Sequence, residues 1–186
     1  LVDTVGVSFV SIDNTKLFEL IEIGASKDVI DLEKHRIATT TTYGYDYEES
    51  TFEELGELLA YDYAYTPFKL RTVETNANID KTKHPKAFGG VRGKENVLGG
   101  CKWLVIDVDK STITAEEAHF MLSDVNHHIA LTSNGNNHNK YRVIIELDAI
   151  VDIPDIQWKF FVSAVAESLA IVADPLAKSQ IFFSYS

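Results

Sequence analysis

The sequence predicts an α+β fold: a ferredoxin-like, RRM-like βαββαβ half over residues 99–186, packed on a smaller N-terminal αβ unit over residues 1–98. Three observations carry this. From Lys102 onward, apolar runs of period two and period 3.6 follow one another as strand, helix, strand, strand, helix, strand. The strands of that half carry apolar side chains on both faces, more than two helices can cover. Residues 1–98 hold strand and helix patterns of their own that can supply the missing cover.

In the N-terminal half, "VGVSFVSI" reads as a strand, and "KLFELIEI", which alternates in part, reads as another. "TYGYDYEES" reads as an acidic, Tyr-rich loop, "TFEELGELLAYDYA" as an amphipathic helix and "YTPFKLRTVE" as a strand. "NIDKTKHPKAFGGVRGKENVLGG" has no periodic pattern; a loop that long in a compact domain is usually functional or mobile.

In the C-terminal half, Lys102 to Val108 is a β-branched and aromatic run, hence a strand. "TAEEAHFMLSDV" opens with Thr114 and Glu117 in capping-box spacing and sets Ala118, Met121, Leu122 and Val125 on one helical face. "HIALTS" is the second strand, "NGNNHN" a hairpin loop, and "KYRVIIEL" a third strand with Tyr141, Val143, Ile145 and Leu147 alternating. Pro154 starts a helix that carries Ile156, Phe160 and Ala164, and "QIFFSY" closes as the fourth strand.

This order sets the first and third strands side by side and antiparallel, with the fourth on the other side of the first. Leu104, Ile106 and Val108 then face the helices with Tyr141, Val143 and Ile145. Trp103, Val105, Asp107 and Asp109 share the open face with Lys140, Arg142 and Ile144. Asp107, Asp109, His138, Lys140, Arg142 and Asp174 are expected to converge on one edge.

Composition bounds the function. The single cysteine, Cys101, excludes an intramolecular disulfide and a cysteine-rich zinc site, which fits a reducing compartment. No apolar run approaches the ~18 residues of a membrane span. No signal peptide is visible, so a cytoplasmic protein is expected, cut from a longer chain. The net charge of −11 is unevenly spread: residues 1–65 carry −10, residues 66–110 carry +4 and residues 111–186 carry −5. The one basic segment leads into Asp107 and Asp109, which suits a polyanionic substrate.

Two carboxylates at i, i+2 on a strand end point the same way and suit a hard divalent cation. A third from another strand, Asp174 in "IVADPLAK", would complete an oxygen-rich two-metal site, with His138, Lys140 and Arg142 facing phosphates. Adjacent His127 and His128 fall on opposite faces of a strand and cannot easily share a metal. Cys101 has no general-base partner in the sequence.

The series "WLVIDVD", "TSNGNNHNKYRVII" and "VADPLAKSQIFF" resembles the archaeo-eukaryotic primase superfamily, particularly the primase-polymerases of phages and plasmids. The resemblance covers about residues 100–186, and "GGVRGKENVLGG" is similar to the Arg/Lys and Asn segment that often precedes the first motif. It implies a metal-dependent DNA primase-polymerase that takes NTPs or dNTPs on a single-stranded DNA template during replication, with a helicase domain or helicase partner. It further implies that Asp107, Asp109 and Asp174 hold Mg2+ or Mn2+, and that His138 with Ser133 contacts the nucleotide's phosphates. Lys140 and Arg142 would extend that charge, and Arg92 and Lys94 would grip triphosphate or template. Where the family has a small residue two positions before the histidine, this chain has Asn136, and Ser133 lies five before.

Two other readings stay open. A strand ending in DxD before a hydroxyl residue is also the first motif of haloacid-dehalogenase-like phosphohydrolases, although 77 residues after Asp109 are few for their doubly wound sheet. A non-catalytic RRM-like module would instead bind nucleic acid by stacking bases on exposed aromatics of its central strands.

Overall fold

A computed structural model describes residues 3–109, 111–132, 139–174 and 176–184. The N-terminal half runs β1 (Val5–Ser11), α1 (Thr15–Glu22), α2 (Lys27–Thr40), β2 (Tyr43–Ser50), α3 (Phe52–Leu58), β3 (Tyr63–Thr66), β4 (Lys69–Leu70), β5 (Gly90–Val91) and β6 (Val97–Leu98). The C-terminal half follows as β7 (Cys101–Val108), α4 (Ala115–Met121), β8 (His127–Leu131), β9 (Tyr141–Val151), α5 (Asp155–Ser168) and β10 (Phe182–Phe183). The architecture is mixed α+β, and every strand pair among the described residues is antiparallel.

The C-terminal strands form a three-stranded sheet in the order β7-β9-β8, so the first and third predicted strands are neighbours. Their side chains divide as the alternation demands. Leu104, Ile106, Val108, Tyr141, Val143 and Ile145 pack with Ala118 and Leu122 of the α4 segment and with Trp158, Val162 and Ala166 of α5. On the other face, Trp103, Val105 and Ile144 pack against Val5, Val7, Phe52, Leu55 and Tyr65 of the N-terminal half. That half therefore covers the sheet. Trp103 is fully buried there and its indole N–H donates to the Gly6 carbonyl, 2.6 Å away.

The fourth strand departs from the expectation. β10 does not pair with β7; it pairs with β3 and closes a five-stranded sheet in the order β10-β3-β1-β2-β5. The segment before it passes β7 without a ladder, setting Leu176 and Ala177 in a crevice beside Val105 and Trp158. Two groups fix its position: the Lys178 backbone N–H donates to Asp155 at the start of α5, and the Lys178 ammonium lies over the Phe68 ring, 5.3 Å from its centroid.

Three further elements differ from the sequence reading. "KLFELIEI" is helical because Leu17, Leu20 and Ile21 share one helical face, with Leu17 fully buried. "YGYDYEES" is a strand despite its acids: β1 supplies its ladder while Asp46, Glu48 and Glu49 point to solvent. α2 has no counterpart among the predicted elements, and its buried face holds Glu33 and Ile37. Glu33 stays charged because Arg36 hydrogen-bonds it at 2.6 Å and holds its carboxyl below the usual range. On α5 the buried stripe is Trp158, Val162 and Ala166, while Ile156 and Phe160 are more than 70% exposed.

The long Gly-rich segment is stitched at its ends. Asn96, 1% exposed, accepts from the Asn78 backbone N–H at 2.7 Å and donates to the Asn78 carbonyl at 3.0 Å. The result is an Ω-type loop with closed ends.

Candidate functional site

The site is built on the β7–β9 ladder. Its register sets Asp107 against Arg142 and Val108 against Tyr141, and one step further Asp109 meets Lys140. Arg142 donates from Nε to Asp107 Oδ1 at 3.0 Å, and Lys140 Nζ lies 2.7 Å from Asp109 Oδ1. The strand end is held by the turns on either side. Ser111 and Asn139 exchange two hydrogen bonds, the Tyr141 hydroxyl donates to the Ile113 carbonyl, and the Ser111 hydroxyl accepts from the Ile113 N–H. The first hydroxyl after the paired aspartates thus closes the turn.

The two ion pairs differ in environment. Asp109 and Lys140 are 44% and 27% exposed, an accessible pair. Arg142 is 13% exposed and held on several sides: by Asp107, by the Phe183 carbonyl that accepts from Nη1, and by the Phe182 ring 5.4 Å away. Burial works against its charge, but Tyr65 and Asp107 outweigh that and leave its pKa above the ordinary value. Tyr65 lies fully buried beside it, and burial pushes the phenol's ionisation up. Arg142 and Tyr65 line a cleft of about 210 Å³ with Gly56, His128, Ala130 and Ser184. The cleft needs a glycine at position 56: a Cβ there would come within 2.4 Å of the His128 ring, which stacks on Phe52 and sits 2.7 Å from the Phe52 carbonyl.

The expected site residues fall into four groups. Asp107, Asp109, Lys140 and Arg142 are brought together. Asp174 is exposed on the connection from α5 to β10, and among the described residues no three His, Cys, Asp or Glu side chains gather as a metal shell. Ser133 and His138 lie outside the described residues. Arg92 donates to the Ala38 carbonyl near the end of α2 at 3.1 Å, and Lys94 is exposed on the short 3-10 turn Lys94–Asn96.

Asp107 and Asp109 suit a hard divalent ion in donor chemistry, being carboxylates on one side of a strand end and partly open to solvent. Two protein cations balance their charge, Arg142 at Asp107 and Lys140 at Asp109. The pair fits as two ligands, and Asp174 does not stand with it.

One residue escaped the sequence reading. Lys34 on α2 is half-buried; burial pulls its pKa down, as does the charge of Lys140. Its charge lies near enough to that of Lys140 for the two to repel. Its sequence neighbourhood, "DLEKHR", offers only alternating charges of a solvated helix.

Comparison with family models, curated proteins and solved structures found no match.

Proposed function

We propose that this chain is the catalytic region of a DNA primase-polymerase that transfers nucleotidyl groups from NTPs or dNTPs along a single-stranded template. The observation that carries the reading is the cation-matched aspartate pair: Asp107 and Asp109 at one strand end, each faced by a base from the adjacent strand. Such a group suits a substrate that brings both anionic phosphates and a divalent ion, because each can replace one half of an existing ion pair.

When bound, Mg2+ or Mn2+ at Asp107 and Asp109 supplies Lewis acidity to a 3′-hydroxyl and a leaving pyrophosphate. The chain's own side chains do the rest. Lys140, released from Asp109, turns to a phosphate oxygen as a flexible point charge. Arg142 holds Asp107 in place through its own bond to the Phe183 carbonyl of β10. Lys34 adds charge from the α2 side. On the strength of the motif resemblance, Ser133 and His138 remain part of the proposal as phosphate contacts and Arg92 and Lys94 as contacts to triphosphate or template; Asp174, which does not stand with the pair, is not carried as a ligand.

The alternatives draw less support. The haloacid-dehalogenase-like reading needs a parallel sheet, whereas all strand pairs among the described residues are antiparallel. The stacking RRM-like reading needs open central aromatics, whereas Trp103 lies buried under β1.

The test is incorporation of labelled NTPs and dNTPs on circular single-stranded DNA, with and without primer, in Mg2+ and in Mn2+. Product in the wild type and none with Asp107→Ala/Asp109→Ala is the expected result. Absence of product from a folded wild type in every lane, or equal product in the double variant, overturns the proposal.

A further inference from the structure

We infer that the Ω-type loop between Asn78 and Asn96 is a stacking platform for single-stranded nucleic acid, with Phe88 as its base-stacking ring and Lys81, Lys83 and Lys86 as its phosphate contacts. Two features coincide in that segment: several exposed cations in a chain of net charge −11, and an exposed aromatic ring whose backbone is hydrogen-bonded to β2.

The charge comes first. Residues 79–94 carry five Lys or Arg and a single acid, Asp80. Lys81, Lys83 and Lys86 are all exposed. Asp80 reaches Lys83 Nζ only at 3.6 Å, and its Oδ1 is taken up by the Thr82 hydroxyl and N–H at 2.6 and 3.0 Å. Among the described residues no acid pairs with Lys81 or Lys86. Such a cluster suits a polyanion.

Phe88 supplies the second feature. It is 59% exposed, in a loop that could have buried it or dispensed with it. Its backbone is pinned, since the Phe88 carbonyl accepts from the Gly44 N–H at 2.9 Å and β5 then pairs with β2 at Tyr43 and Tyr45. Gly44 has φ +91°, a conformation suited to glycine, and the Phe88 ring rests against it: a Cβ there would stand 3.4 Å from the ring. Tyr43 completes the arrangement, edge-on to Phe88 at 5.9 Å and to His84 at 5.6 Å. The Glu74 carboxylate, an acid close to the segment, accepts from the Gly89 N–H at 3.4 Å and is already engaged. An exposed ring backed by Gly44, in a segment whose exposed side chains include three lysines, has the composition that binds single strands, where bases stack on aromatics and phosphates find cations.

Arg92 at the foot of the loop donates to the Ala38 carbonyl of α2, which ties the platform to the helix that carries Lys34. The inference deepens the nucleotidyl-transfer reading and rests on it for the strand's role as template. The binding itself needs neither nucleotide nor divalent ion.

The experiment measures binding of fluorescent dT and rU oligonucleotides and of a DNA duplex to the whole chain, in chelator, across a range of salt. Single strands are expected to bind more tightly than duplex, and the tighter of the dT and rU arms identifies the strand. Phe88→Leu, which keeps an apolar cover on Gly44, is expected to weaken binding about tenfold, and Phe88→Tyr to keep it. Lys81→Ala/Lys83→Ala/Lys86→Ala is expected to reduce the slope of log K on log salt by about two, from ~0.7 per contact. Preference for duplex, no binding of either strand, or wild-type affinity in both Phe88→Leu and the lysine variant overturns the platform. Loss of the platform with incorporation intact leaves the enzyme standing, and binding without incorporation leaves the platform standing.

Discussion

Arg142 and Lys140 sit two residues apart on one strand and do different work. Arg142 is buried, and its partners include a half-exposed carboxylate and a carbonyl on β10. Arg142→Met leaves both without their donor, so a loss of about 2–3 kcal/mol in urea unfolding is expected. Lys140 belongs to an open ion pair, where Lys140→Ala should change stability by less than about 1 kcal/mol. The same Lys140→Ala frees Asp109 from its resident cation, so calorimetry should show tighter Mn2+ binding than in the wild type. Weaker or unchanged Mn2+ affinity would remove the exchange between Lys140 and metal from the account.

At the scale of elements, the long loop offers a direct test. Asn96 is buried with two hydrogen bonds to Asn78, so Asn96→Ala orphans an N–H and a carbonyl at the loop's base; a cost of about 2 kcal/mol is expected, read by thermal unfolding. The loop also shows where the sequence is legible. β7, α4, β9 and α5 are readable because each buries a face of its own segment, β8 because its short apolar run sits between two sequences rich in turn formers, and the aspartate–base pairing follows from register alone. β2 and the partner of β10 are not, because both depend on strands far away in the chain. The apolar positions on α5 mislead for a related reason: Ile156 and Phe160 are as hydrophobic as Trp158 and Val162, and only the sheet's position selects the buried set. Lys34 stays hidden because nothing local distinguishes it; its meaning comes from Lys140, more than one hundred residues away.

Across the whole molecule, the two cores impose an alkaline limit. Burial pushes the Cys101 thiol up to about 12 from 9.0 and the Tyr45 phenol up to about 12 from 10.0. Both folded values lie above the unfolded ones, so the neutral groups favour the native state fully below about pH 9, and that advantage fades as pH climbs toward 12. Urea midpoints should fall between pH 9 and 11, less steeply in Cys101→Ala, and Cys101 should resist thiol reagents at pH 8 until the chain unfolds. An identical pH slope in Cys101→Ala would place the alkaline sensitivity elsewhere. The crossing of β10 to β3 carries its own consequence for biosynthesis. While the ribosome is still extending the chain, β1, β2 and β3 have all emerged, but the last strand of their sheet comes more than one hundred residues later. Until then β3 is a bare edge able to recruit any neighbouring strand, so the nascent protein is most vulnerable to aggregation in the interval before β10 emerges.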